Sequence, residues 1–203
     1  MPTPVGHTLA GITIALVAER PRYIKPALFV AAVILIANLP DIDLIPGYLL
    51  GDAARFHWRA THSIWAALFA GLCAGLVFWK WRRDFWRPAL IVTVAWLSHV
   101  LLDLLLGPVR GAPFGLQVFW PFSHHRVMLP WRVFIMYPND AIRENPFAAF
   151  VHPRVTPLIT RELIVLGPFV LAALAWKLAR ARGIIPSSPL RKAAAPPGTA
   201  ADA

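Results

Sequence analysis

The chain has 203 residues, of which 58% are hydrophobic and 15% charged, and its mean hydropathy is +0.58. Because soluble domains typically carry about 25% charged residues, this composition excludes an ordinary soluble protein and predicts an integral membrane protein. Lysine and arginine outnumber aspartate and glutamate by 20 to 10, but they lie mainly in clusters between apolar segments, which favours a membrane surface over nucleic acid as the partner.

Five apolar segments predict helices, so the expected fold is an all-α integral membrane bundle with about four to five transmembrane helices. The first two segments are shorter than the roughly 20 residues of a full span. The second is expected to end at Pro40, because a residue before proline avoids the α region. The third contains Cys73, the only cysteine, so the sequence excludes an intrachain disulfide and a cysteine-based zinc site. The segments are residues 5–18, 26–39, 63–79, 88–106 and 163–178.

Two connections and a tail complete the predicted organisation. Residues 41–62 are expected to form a polar connection, and residues 109–160, rich in proline and aromatic residues, an irregular region lying on the membrane. Residues 1–183 are expected to form the membrane domain and residues 184–203 a disordered tail. Basic clusters follow the first, third and fifth segments, so the positive-inside rule places those ends in the cytoplasm and both connections outside.

Histidines and aspartates gather at the outward end of this predicted topology. His99 and Asp103 are four residues apart, so on a helix both side chains lie on one face and can bind one cation. An aspartate within a bilayer is costly and usually functional; the structural alternative is a hydrogen-bonded pair that joins two helices. Mixed nitrogen and oxygen ligands suit zinc, manganese or iron. The predicted ligands of an outward-facing metal site are His7, Asp41, Asp43, His57, His62, His99 and Asp103.

Asp41 and Asp43 are also the predicted catalytic residues. They alternate by two, which in an extended segment points both carboxylates to one side, and the alternative is a turn and helix cap after Pro40. Either carboxylate is a candidate general base in a reaction of metal-activated water. His57 and His62 have an alternative as well, since histidine is common at membrane interfaces.

Two arginines are predicted to bind substrate. Arg59 and Arg126 can hold an anionic group through paired hydrogen bonds, the alternative being contact with lipid headgroups. Three further histidines are open as additional ligands or as surface residues. These are His124, His125 and His152.

Several motifs resemble those of the YdjM-like family of LexA-regulated, membrane-bound metal-dependent hydrolases. They are Asn-Leu-Pro-Asp-Ile-Asp at residues 38–43, Thr-His-Ser at 61–63, Ser-His at 98–99 with Asp103, and Trp-Pro-Phe-Ser at 120–123. The order His, Asp, His, His-x-x-x-Asp is also similar to that of zinc-dependent phospholipase C. The resemblance covers about residues 5–125 and implies hydrolysis of a phosphoester, with zinc as the expected metal. The chain departs from the phospholipase pattern, because no glutamate follows His124, His125 or His152 by four residues.

The sequence therefore predicts a metal-dependent hydrolase of the cell inner membrane, acting on a small-molecule or lipid phosphoester. The rival interpretation is a metal ion or proton transporter in which His99 and Asp103 form a transit site. Transporters often contain inverted repeats, and none stands out here. A third interpretation is a noncatalytic membrane scaffold with a structural metal.

Overall fold

A computed structural model describes residues 2–51, 55–106, 115–135 and 155–185. Within these ranges the regular secondary structure is helical, which confirms the predicted fold class. The predicted tail beyond residue 185 lies outside the described residues, as does much of the predicted irregular region. The helices are α1 (Pro4–Val17), α2 (Pro26–Asn38), α3 (Leu44–Leu49), α4 (Ile64–Arg82), α5 (Trp86–Leu104) and α6 (Thr156–Ala181).

Four helical stretches of the described chain are long and apolar enough to cross a membrane. Their outward faces expose large apolar side chains such as Phe69 and Leu171, which are 68% and 66% exposed. Apolar surfaces of this extent mark contact with a membrane. With 14 residues, α1 is shorter than a full span. The four stretches are Pro26–Leu49, Ile64–Arg82, Trp86–Leu104 and Thr156–Ala181.

The α-helix of the second segment ends at Asn38, just before Pro40, as predicted, but the polar connection expected after it begins with helical turns. The chain continues through a 3-10 helix, Leu39–Asp43, into α3. Pro40 lies in the first turn of that 3-10 helix, where its missing N–H leaves no helical hydrogen bond unmade. Residues 41–49 are therefore helical, and the connection to α4 is shorter than predicted.

The packing places α1 against α2, α5 and α6, while α5 also contacts α2 and α4. Gly71 and Gly75 of α4 let α5 approach closely. A Cβ at Gly71 would lie 1.9 Å from Thr93 Oγ1, and a Cβ at Gly75 would lie 2.7 Å from the Phe85 ring. The glycine face of α4 is thus its contact with α5.

The variant Gly71→Ala tests this contact. Because the added methyl group would also meet the Ala89 carbonyl oxygen at 2.7 Å, we expect destabilisation by about 1–3 kcal/mol, the usual effect of overpacking. Thermal unfolding in detergent would measure it. The matched control is Val77→Ile, which adds one carbon to a side chain of α4 that is 62% exposed. Equal stability of the two variants would contradict the close approach.

Residues 115–135 lack a regular helix or strand, yet they belong to the core. Leu116 and Val127 exchange two backbone hydrogen bonds, and Leu116, Val118 and Phe134 are buried in the main apolar cluster. The Ile64 N–H donates to the Val118 carbonyl at 2.9 Å. This region is therefore irregular, as predicted, and it packs onto the start of α4; its position on the membrane surface stays a prediction.

Candidate metal centre

The polar side chains meet at one end of the bundle, because helix directions bring helix ends together there. His7 lies in the first turn of α1, and Asp103 in the last turn of α5. His62 lies two residues before α4, and Asp41 lies in the 3-10 helix that follows α2. Distant parts of the sequence thus contribute to one cluster.

His99 is fixed by the backbone of α2. Its Nδ1 lies 2.9 Å from the Ala37 carbonyl oxygen, and a carbonyl only accepts, so this nitrogen carries the proton. In the neutral ring, Nε2 then presents its lone pair. Hydrogen bonding of the remote nitrogen to a backbone carbonyl is the usual way in which proteins orient a metal-binding histidine.

His62 Nε2 lies at the middle of the cluster. It is 3.2 Å from His99 Nε2 and 3.3 Å from Asp103 Oδ2. Asp41 Oδ1 is 3.5 Å from the same His62 nitrogen and 3.4 Å from His99 Nε2. Two imidazole nitrogens at this distance need a proton or another cation between them, and the two carboxylates supply the compensating charge.

His7 completes the cluster from α1. Its ring stacks on that of His99, with centroids 3.7 Å apart, and its Nε2 lies 3.8 Å from Asp103 Oδ1. Within the described part of the chain, three groups of residues each offer ligand atoms within 4.8 Å of one another. The groups are His7, Asp41 and His99; Asp41, His57 and His62; and His62, His99 and Asp103.

Asp43 has a different position from the other carboxylates, because both of its oxygens are already engaged. Oδ1 accepts from His57 Nδ1 at 2.9 Å, and Oδ2 accepts from the Thr61 hydroxyl at 2.7 Å. His62 Nδ1 lies 3.2 Å from Oδ2. Asp43 therefore holds the remote nitrogens of two imidazoles and leaves both Nε2 atoms free to bind a ligand.

The 3-10 helix corrects the predicted geometry of the two aspartates. Asp41 and Asp43 lie on a tight helix, not on an extended segment, so they do not point the same way. Asp41 faces His62 and His99, whereas Asp43 faces His57 and Thr61. The carboxylates thus approach the histidines from two directions.

Burial and hydrogen bonding together show that the residues fit a metal ion. His7, His62, His99 and Asp103 are fully buried, and Asp41 is the most exposed member, at 15% of its side chain. Buried polar atoms are normally hydrogen-bonded. Among the described residues, several buried atoms of the cluster have no hydrogen-bond partner. They are both ring nitrogens of His7, Asp41 Oδ1, His57 Nε2 and both carboxylate oxygens of Asp103.

The pKa values of His57 and His62, the two histidines before α4, are shifted in opposite directions. Burial lowers the pKa of His57, although its hydrogen bond to Asp43 acts in the other direction. Burial also opposes the charged form of His62, but the carboxylates of Asp103, Asp41 and Asp43 beside its ring outweigh it and raise the pKa of His62 well above its usual value. Asp41 and Asp103 attract positive charge to His62 Nε2, which is the atom that would bind a metal cation.

The other predicted site residues are not brought into the cluster. Arg59 is exposed and lies close to His62 in the sequence. Arg126 donates from Nη1 to the Gly115 carbonyl at 2.9 Å. His124 and His125 are exposed. His152 lies outside the described residues.

Sequence reasoning missed the residues that support the cluster. Thr61 holds Asp43, and the Trp96 indole donates to the Thr61 carbonyl at 2.7 Å. Glu162 of α6 accepts two hydrogen bonds of 2.5 Å, from the Thr3 N–H and hydroxyl, just before α1. The signal for Glu162 was present, since it is an acidic residue at the edge of an apolar segment.

Comparison with known proteins connects this chain to one family. The family described as YdjM inner membrane protein matches residues 1–184. The curated Escherichia coli (strain K12) protein "Inner membrane protein YbcI" is 32% identical over 186 residues, which cover 87% of this chain and 99% of that protein. No solved structure matches.

Proposed function

Since the chain belongs to the YdjM inner membrane protein family, we propose that it is a multi-pass hydrolase of the inner membrane that cleaves a phosphoester with a divalent metal. Zinc is the expected ion, and manganese or iron also suits the donor set. The observation that carries the proposal is the convergence of His99 Nε2, Asp103 Oδ2 and Asp41 Oδ1 within 3.2–3.5 Å of His62 Nε2.

The proposed ligands are His7, Asp41, His57, His62, His99 and Asp103. A bound divalent metal supplies Lewis acidity, which polarises the phosphoryl group and lowers the pKa of water. The chain orients the imidazoles: Asp43 holds His57 and His62, and the Ala37 carbonyl holds His99. The burial of His62, His99 and Asp103 strengthens electrostatic interactions by excluding water.

Asp41 is the better candidate for the general base. At 15% exposure it is the most accessible carboxylate of the cluster, so it borders the side from which water and substrate arrive. Asp43 was an equal candidate in the sequence, but its oxygens are engaged by His57, His62 and Thr61. A carboxylate in that position is better suited to hold imidazoles than to accept a proton.

The position of the cluster favours hydrolysis over transport. Transporter sites lie near the bilayer midplane, whereas this cluster forms at helix ends, with His7 at the start of α1 and Asp103 at the end of α5. A centre at one membrane surface is accessible to an aqueous or headgroup phosphoester.

We propose that this end faces the outside of the cell. The opposite end carries clustered basic residues, including Arg20, Lys80 and Arg82, and contacts join its loops. Tyr23 donates to Asp84 at 3.3 Å, and Arg180 lies 4.0 Å from Glu19. The positive-inside rule places such an end in the cytoplasm.

Metal removal tests both proposals. In detergent, we expect the purified protein with added zinc or manganese to hydrolyse a chromogenic phosphodiester, and excess chelator to reduce the rate to that of a protein-free control. In sealed right-side-out vesicles, an impermeant chelator added outside should have the same effect. Activity that survives chelator in detergent would contradict the metal hydrolase. Loss in detergent without loss in sealed vesicles would contradict only the outward orientation.

A further inference from the structure

The structure also carries an inference about the substrate class. We propose that the phosphoester is a lipid, one acyl chain of which lies in an apolar groove along α4. This inference rests on the proposed hydrolase function and specifies its substrate. It arises from a part of the molecule that the metal ligands do not occupy.

The groove has a volume of about 550 Å³, within the range of roughly 300–1,000 Å³ that is usual for ligand sites. It begins beside Ala60, Thr61 and Ser63, the residues on either side of His62. It then follows α4 as far as Cys73. Trp65, Phe69, Trp96 and Trp120 supply aromatic walls.

The groove has the length of one bilayer leaflet. Ser63 and Cys73 both line it, and ten residues of α-helix correspond to about 15 Å. The hydrocarbon core of a bilayer is about 30 Å thick, so half of it is about 15 Å. The groove, which runs along α4 from the cluster end of the bundle to Cys73, is therefore about as long as the part of one leaflet that an acyl chain fills.

The groove and the metal centre share Thr61. Its hydroxyl donates to Asp43, and its carbonyl accepts from the Trp96 indole, which also lines the groove. A lipid in the groove would thus have its headgroup at the level of the segment that carries His62. The exposed Arg59, next to Ala60, is placed to contact an anionic headgroup.

Aromatic residues at the entrance of the groove indicate that it lies at the depth of the lipid headgroups. Trp65 and Phe122 pack edge to face, with ring centroids 5.2 Å apart, and Trp120 lines the groove beside them. Tryptophan is enriched where a membrane meets water. The entrance is therefore at the boundary from which a lipid phosphate can reach the centre.

A second copy of the chain fits this face less well. Close helix association in membranes uses small residues, and the small residues Gly71 and Gly75 of α4 already face α5. The groove face instead presents Trp65 and Phe69, which are 45% and 68% exposed. Bulky aromatic walls along an apolar groove suit a flexible acyl chain.

The test is to fill the groove at its far end with Cys73→Trp. The probe is a phosphatidylethanolamine with a photoreactive group in one acyl chain, reconstituted with the full-length protein. We expect crosslinks in the wild type to map to the groove face of α4. In Cys73→Trp they should fall at least about tenfold, since burial of about two methylene groups already corresponds to that factor.

The matched control is Leu72→Trp, which adds the same ring to the neighbouring exposed position outside the groove. Both variants should keep the wild-type metal content and the wild-type rate on the soluble chromogenic phosphodiester. Only Cys73→Trp should raise KM for a long-chain phospholipid. This comparison separates groove filling from damage to the centre.

Three outcomes would overturn the inference. The first is an equal loss of crosslinking in the two tryptophan variants. The second is an unchanged KM for phospholipid in Cys73→Trp while phosphodiester hydrolysis persists. The third is rapid formation of a Cys73–Cys73 disulfide between two wild-type chains under mild oxidation, which would identify the groove face as a contact between copies. An inactive wild-type protein would instead refute the proposed hydrolase.

Discussion

Asp103→Asn is expected to lose at least about 100-fold in metal affinity, the upper end of the effect of removing an outer-shell partner, while the protein still inserts and folds. Asparagine has nearly the same shape but no negative charge. Asp103 Oδ2 lies 3.3 Å from His62 Nε2, and both its oxygens are buried without a hydrogen-bond partner among the described residues. Metal content after dialysis against a competing chelator would measure the loss.

Asp84→Asn is the matched control, because Asp84 lies at the opposite end of the bundle and contacts Tyr23. If Asp103 only joins two helices, Asp103→Asn should cost about 1 kcal/mol of stability, the usual net value of one hydrogen bond, with full metal occupancy. His62→Ala should also lose metal, and the double variant should lose less than the sum of the two effects. Additive losses would contradict one shared centre.

Asp43→Asn is expected to weaken metal binding by about 10–100-fold, the range for outer-shell partners of metal-binding histidines. Asparagine has one acceptor oxygen, so it cannot hold the Nδ1 atoms of both His57 and His62 as Asp43 does. The ligand set itself should stay the same. The visible spectrum of cobalt-loaded protein at saturating metal should therefore resemble that of the wild type.

Two readouts distinguish a positioning role from ligation. ¹⁵N NMR of the imidazoles should show that His57 or His62 changes its tautomer in Asp43→Asn, because one Nδ1 loses its acceptor. The conservative variant Thr61→Val removes only the hydroxyl that donates to Asp43 and should give a smaller loss of affinity. A changed cobalt spectrum in Asp43→Asn would show that Asp43 is a ligand and contradict the assignment.

The sequence was sufficient to predict which residues gather at one end of the bundle. Polar side chains in apolar segments are rare because they are costly in a bilayer, so His7, His99 and Asp103 stood out. The basic clusters indicated which helix ends lie on the same side of the membrane, and this predicted that residues far apart in the sequence would meet at one end of the bundle. The fold class followed from length and hydropathy, and the structure confirms it.

The local geometry could not be predicted in the same way. The proline rule predicted the end of α2 at Asn38, but it did not predict that a 3-10 turn accommodates Pro40 and that helical turns continue to Leu49. The positions of Asp41 and Asp43 depend on that turn. The role of the Ala37 carbonyl depends on contact between α2 and α5, and no side-chain pattern encodes a backbone oxygen.

The hydrogen bonds from Thr3 to Glu162 relate the site to the order in which the protein is synthesised. Every candidate ligand precedes α6, so a ribosome completes all of them before it begins Thr156. The carboxylate that holds the residue before α1, and so the position of His7, is made afterwards. A nascent chain that ends before α6 already contains every candidate ligand and can pack α1 against α2 and α5, but the hydrogen bonds from Thr3 to Glu162 form only after the last span is made.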